Sequence, residues 1–216
     1  MRNLRKIARG LLAAVVLATL AAGFYLAYRL NLGKADSSHL ASISGWEAIS
    51  GRWSEHDGVL SNSNYGRGDM LIAAHSHGGN YRISADIRFD LLFPETHYGD
   101  AGLVIRTTDP QAGVDSYQGY YAGLRPDSQT VVLGRASYDW HELKAATLSS
   151  PIAVGAWYHL ELAADGCTLT VIAAPAGNGS ATRIDYQDAH CLQDGVAGLR
   201  SFYAQASWRD VKISHN

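Results

Sequence analysis

The sequence predicts an all-β fold, an antiparallel β-sandwich of jelly-roll type, preceded by one N-terminal transmembrane helix. Three observations carry this reading. Residues 81–90 alternate almost without fault, with Tyr81, Ile83, Ala85, Ile87 and Phe89 on one face and Arg82, Ser84, Asp86, Arg88 and Asp90 on the other, the pattern of a strand with one buried and one wet face. Further runs of this kind follow at short spacing, and no long amphipathic helix follows residue 30. The composition, 22 Gly and 12 Tyr against two Met in 216 residues, suits strands and turns better than a helix bundle.

Residues 1–30 form the membrane segment. Nothing between Gly10 and Tyr28 is charged, and a helix of that length reaches about 28 Å, close to the hydrocarbon thickness of a bilayer. Phe24-Tyr25-Leu26 prolongs the run and Arg29 closes it, which favours an uncleaved signal anchor, while Thr19-Leu20-Ala21 leaves a cleaved secretory peptide open. Arg2, Arg5, Lys6 and Arg9 precede the run and only Arg29 and Lys34 closely follow it, so the N-terminus is expected in the cytoplasm. The sequence thus predicts a single-pass protein of a bacterial inner membrane whose C-terminal domain is periplasmic or extracellular.

Residues 31–44 read as a linker and 45–216 as one β domain. Its strands are expected at 81–90, 101–106, 117–124, 130–135, 157–162, 168–173, 196–203 and 206–213, separated by turn signals such as Asp109-Pro110, Arg125-Pro126-Asp127 and Asp165-Gly166. Glu55-His56-Asp57 precedes Gly58 in what reads as a hairpin turn. Cys167 and Cys191 suit an exported domain as a disulfide, with two buried thiols as the alternative. Beyond residue 30 there are 13 Lys/Arg and 20 Asp/Glu, a balance too acidic for a general nucleic-acid binder.

Several stretches, taken in order, resemble one superfamily. They are Trp53 with Asp57-Gly58-Val59-Leu60, Ala101-Gly102-Leu103-Val104-Ile105-Arg106, Gly119-Tyr120-Tyr121-Ala122-Gly123-Leu124 and Val131-Val132-Leu133-Gly134-Arg135. Gly155-Ala156-Trp157-Tyr158-His159-Leu160-Glu161-Leu162, Gly195-Val196-Ala197-Gly198-Leu199-Arg200 and Ala206-Ser207-Trp208-Arg209-Asp210-Val211-Lys212-Ile213 complete the set. Together they resemble the concanavalin A-like lectin/glucanase jelly rolls, more narrowly the laminin G-like and 3-keto-disaccharide hydrolase (family 16 glycoside hydrolase-like) domains, and are similar to levan-binding carbohydrate modules. That fold hosts enzymes, sugar-binding modules and adhesion modules alike, so function must be read from a site.

If strands 81–90, 101–106, 117–124 and 130–135 are neighbours, as the resemblance implies, Asp86, Arg88, Arg106, Tyr117 and Tyr121 form a polar, aromatic face suited to carbohydrate. The competing reading is the solvated half of an amphipathic sheet. Trp140 and His141, in a loop at 138–142, are expected to rim such a site, or else to cap the core and face water. No catalytic residue and no metal site is predicted. His75 and His77 lack an obvious third zinc ligand beyond His97, and Glu55 with Asp57 has the i, i+2 spacing of a glycosidase pair but sits in the turn. No cofactor is expected. Asp210 leaves only a structural calcium open, and one Asp cannot assemble an oxygen-rich site.

The sequence therefore predicts a membrane-tethered, exported, non-catalytic carbohydrate-binding module. A glycoside hydrolase acting on di- or oligosaccharides and a laminin G-like protein-interaction module are the alternatives. The partners expected are carbohydrate and the membrane, with other envelope proteins left open.

Overall fold

The structure, a computed structural model, describes residues 43–75, 78–95, 98–177 and 179–215. The predicted membrane helix, most of the linker, His77 and His97 lie outside these residues. In chain order the strands are β1 (Trp46–Ser50), β2 (Trp53–His56), β3 (Val59–Asn62), β4 (Arg67–Ala73), β5 (Tyr81–Leu92), β6 (Asp100–Thr108) and β7 (Gln118–Arg125). They continue with β8 (Thr130–Ser137), β9 (Trp140–Thr147), β10 (Trp157–Asp165), β11 (Thr168–Pro175), β12 (Thr182–Gln187), β13 (Val196–Phe202) and β14 (Ala204–His215). One sheet has the order β1-β4-β13-β6-β7-β8-β9, the other β12-β11-β10-β5-β14-β3-β2, and every pairing is antiparallel.

The core lies between the sheets. From the second sheet Tyr81, Ile83, Ala85, Ile87 and Phe89 of β5 are fully buried, as are Leu160, Leu162 and Trp208; from the first come Leu103, Ile105, Tyr120, Ala122, Leu124 and Leu199. The second sheet keeps its alternation because its outer face is wet. The first sheet is buried on both faces along β6 and β7. A second apolar cluster of Met70, Ile72, Val104, Tyr117, Tyr121 and Ala136 lies apart from the central core. Asp57 and Gly58, with φ of 50° and 76°, close the β2–β3 hairpin as the sequence predicts.

Two expectations about elements are corrected. Strand β5 does not neighbour β6; it pairs with β10 and β14 in the opposite sheet. Alternation fixes which side chains share a face but carries no information about the partner strand. Trp140 and His141, placed in a loop from sequence, open strand β9, which pairs with β8.

Around Cys167 and Cys191, which are disulfide-bonded, one end of the sandwich is tied by buried polar groups. Arg106, at φ 50° in a bulge of β6, donates from Nε to Gly79 O at 2.9 Å and from its terminal nitrogens to the carbonyls of Gly79, Gly166 and Leu192. Nearby, the Tyr120 hydroxyl donates to Asp188 Oδ2 at 2.6 Å and receives the Leu192 N–H. Burial opposes the Asp188 carboxylate, but the Tyr120 hydroxyl, the His190 N–H and Arg135 outweigh it and hold its pKa below the ordinary value. A depressed carboxylate contributes stability above its unfolded pKa and loses it as pH falls through the folded one. The melting temperature should therefore decline below about pH 4, and Asp188→Asn should make that decline shallower in a pH series of thermal melts. An unchanged slope would remove Asp188 from the acid response.

Candidate functional site

Alternation places Arg200 opposite the core residue Leu199 on β13, and Tyr121 opposite Tyr120 and Ala122 on β7. These outward side chains, with the flanking loops, enclose a pocket of about 100 Å³. Asp100, Tyr121 and Arg200 are its buried members, and Asp115 is partly buried. Tyr98, Val114, Arg125, Trp140 and Phe202 complete the lining.

Arg200 organises the pocket. Its terminal nitrogens reach Asp100 Oδ1 at 3.3 Å and Asp115 Oδ1 at 2.7 Å, and its guanidinium lies 4.7 Å from the Tyr121 ring centroid. The Asp115 contact pins the 109–117 connection. Asp100 also accepts the Tyr121 hydroxyl at 2.6 Å. Burial works against a charged Arg200, but the surrounding phenols and carboxylates outweigh it and keep the guanidinium protonated. Burial pushes the Asp100 carboxyl up, against the pull of Arg200 and of Tyr121.

Two glycines make the aromatic wall. A Cβ on Gly134 would stand 2.1 Å from the Trp140 ring, and one on Gly123 would stand 2.4 Å from the Tyr121 hydroxyl, so both rings lie close against the sheet only because those side chains are missing. The rings meet edge to face with centroids 6.0 Å apart. At the rim Arg125 donates to Glu142 Oε2 at 2.7 Å. Among the described residues, Arg200 Nε and Arg125 Nε are buried with no hydrogen-bond partner. These are donors a polar ligand can use.

The pocket gathers only part of the expected set. Tyr121 and Trp140 line it. Tyr117 is buried nearby in the second apolar cluster, and its hydroxyl meets no partner among the described residues. Arg106 is corrected from ligand contact to structural clamp, because it is 1% exposed and spends its donors on three backbone carbonyls. His141 does not line the pocket; it is exposed and 3.1 Å from Asp139.

Asp86 and Arg88 are corrected to the outer face of the second sheet, because β5 belongs there. Asp86 meets His159 and Arg209, while Arg88 meets Asp90 at 2.6 Å and stacks on Trp157 at 4.7 Å. Asp210, the carboxylate that left a calcium open, is exposed and sits in a shallow depression with Glu55. Sequence reasoning did not select Tyr98, Asp100, Asp115, Arg125, Arg200 or Phe202. The signal for Arg200 was present, a charged residue directly after core Leu199 in a strand buried on both faces.

The two seven-stranded antiparallel sheets form a jelly-roll β-sandwich, a fold shared with several solved carbohydrate-binding structures. Among solved structures, the carbohydrate binding module CBM66 from Bacillus subtilis aligns with a TM-score of 0.65 at 20% identity, over 80% of this chain and 97% of that one. The calcium-bound exoplasmic/lumenal domain of VIP36 aligns at 0.62 and 14% identity, over 84% and 86%. Lectin II from Ulex europaeus aligns at 0.59 and 10%, over 81% and 94%. No curated protein matches the sequence. The family model for the 3-keto-alpha-glucoside-1,2-lyase-like domain matches residues 37–214, and the chain belongs to that family.

Proposed function

We propose that the protein is an exported, membrane-tethered module that binds carbohydrate without cleaving it, in the pocket around Arg200. The observation that carries this is the half-buried Trp140 ring, braced edge to face by buried Tyr121, beside carboxylates held by an arginine that keeps an unpaired buried donor. Aromatic faces take the apolar side of a sugar ring, and fixed charged groups take its hydroxyl pairs. Every carboxylate at the pocket already has an arginine partner, Asp100 and Asp115 through Arg200 and Glu142 through Arg125. That arrangement suits holding hydroxyls more than moving protons. The tether reading is supported by the uncharged run 10–28 and its cationic flank, which favour a domain in the periplasm or outside the cell, a setting that suits the disulfide.

The test is calorimetry of the full chain in detergent against a panel of neutral oligo- and polysaccharides, including fructans and β-glucans, with the same samples examined for products by chromatography. Trp140→Ala should weaken binding by at least about thirtyfold, as for a central aromatic anchor, and His141→Ala should leave it unchanged. Undiminished binding by Trp140→Ala would move the site elsewhere. Membership of a lyase-like family favours a second reading, cleavage of a di- or oligosaccharide at the same pocket. Product formation would establish it and make Asp100, whose carboxyl burial raises, the acid to replace first.

A further inference from the structure

Five aromatic side chains that belong to neither apolar cluster lead away from the pocket: Tyr98, Phe202, Tyr203, Phe93 and Tyr65, all partly buried. They form one unbroken series. Tyr98 and Phe202 line the pocket and meet edge to face at 5.8 Å; Phe202 meets Tyr203 at 4.4 Å, Tyr203 meets Phe93 at 5.0 Å, and Phe93 meets Tyr65 at 5.9 Å. Each ring keeps part of its surface open to solvent in a row that neither core cluster uses, and contiguous apolar surface of this kind marks a binding site.

The backbone holds this ridge in place. The Tyr203 N–H donates to Gly66 O and the Tyr203 carbonyl accepts from the Phe93 N–H, each at 2.9 Å. Tyr203 itself has φ of 50°, a left-handed conformation that a bulky residue rarely adopts and that the surroundings must sustain. Arg67 lies 5.9 Å from the Tyr203 ring centroid and adds a charged donor beside the rings. The platform is thus fixed before any ligand arrives, which lowers the ordering cost of binding.

We infer that the Phe202–Tyr203–Phe93–Tyr65 ridge continues the pocket as a run of sugar subsites, so that the ligand is a neutral oligosaccharide whose end enters the pocket while the following residues stack along the ridge. The inference rests on the carbohydrate reading of the pocket. Continuity selects this occupant: the ridge begins at two rings that already line the pocket, and its steps are comparable with the spacing of successive rings in a glycan chain.

The experiment is calorimetry of the full chain in detergent with fructose and levan-type oligosaccharides, and with glucose and β-1,3-glucan oligosaccharides, of one to five residues. In the series that binds, each added residue over the ridge should raise affinity about three- to tenfold, the equivalent of one aromatic contact. Phe93→Ala and Tyr65→Ala should leave monosaccharide affinity unchanged and abolish the gain with length. Tyr65, at the far end, serves if Phe93→Ala does not fold. Equal affinity for monosaccharide and pentasaccharide overturns the ridge while the pocket stands, and binding of none of them overturns both. Ridge variants that alter only self-association in sedimentation overturn the ridge in favour of docking a second copy.

Discussion

Arg106→Ala should lower the melting temperature by about 6–12 °C and leave the glycan affinity of the folded protein unchanged. Removing the guanidinium strips the carbonyls of Gly79, Gly166 and Leu192 of their donors at once. If each stranded acceptor costs about 1 kcal/mol, the sum is about 3 kcal/mol, and a domain of this size loses about 2–4 °C per kcal/mol. The three carbonyls lie on separate connections at the disulfide-tied end, so a single side chain closes that end of the sandwich. Arg106→Lys should rescue little, because an ammonium lacks the planar fork that reaches several carbonyls together. Thermal melts and calorimetry on the same preparations decide the matter. A variant that melts like the wild type but no longer binds sugar would return Arg106 to the ligand site.

That one side chain also marks where the sequence stops being legible. The β-sandwich was readable because half of β5 is apolar at period two and β10 and β11 follow the same rule. Strand partners were not, since Asp86 and Arg88 share a parity with many outward residues and nothing in their own strand says that β10 and β14 flank it. Arg106 sits in a bulge with positive φ but without the glycine that would have announced it, so simple alternation aimed it at solvent.

The site was half legible for a related reason. Tyr121 was visible as an aromatic flanked by glycines in its strand and Trp140 as the indole of a polar stretch at 138–142, but that Gly134 and Gly123 make room for these two rings is a matter of the folded sheet. Asp100 and Asp115 were not, because each stands at or beyond a strand end and meaning comes only from Arg200, which lies 100 and 85 positions away along the chain. Long-range ion pairs leave no local signature; the sequence shows only that Arg200 follows the apolar run Val196-Ala197-Gly198-Leu199, and the structure shows that this strand is buried on both faces.

Arg200→Met should cost about 3–5 kcal/mol, a fall of about 6–20 °C in melting temperature, and should eliminate glycan binding. The stability loss arises because Asp100 is left buried beside Tyr121 without the cation that contacts it, an undercompensated charge in a site that already pushes its carboxyl towards the protonated form. The binding loss has a different origin, the disappearance of the unpaired Arg200 donor and of the contact that pins Asp115 and its loop. The two effects separate in the double variant Arg200→Met with Asp100→Asn, which removes both members of the most deeply buried pair. Replacing a whole ion pair by neutral groups is far less destabilising than breaking it, so this variant should recover most of the lost melting temperature and still fail to bind. Recovery of binding together with stability would mean that Arg200 only holds the sheet face together. The ligand donors would then be sought at Arg125, the other arginine of the pocket with an unpaired buried nitrogen.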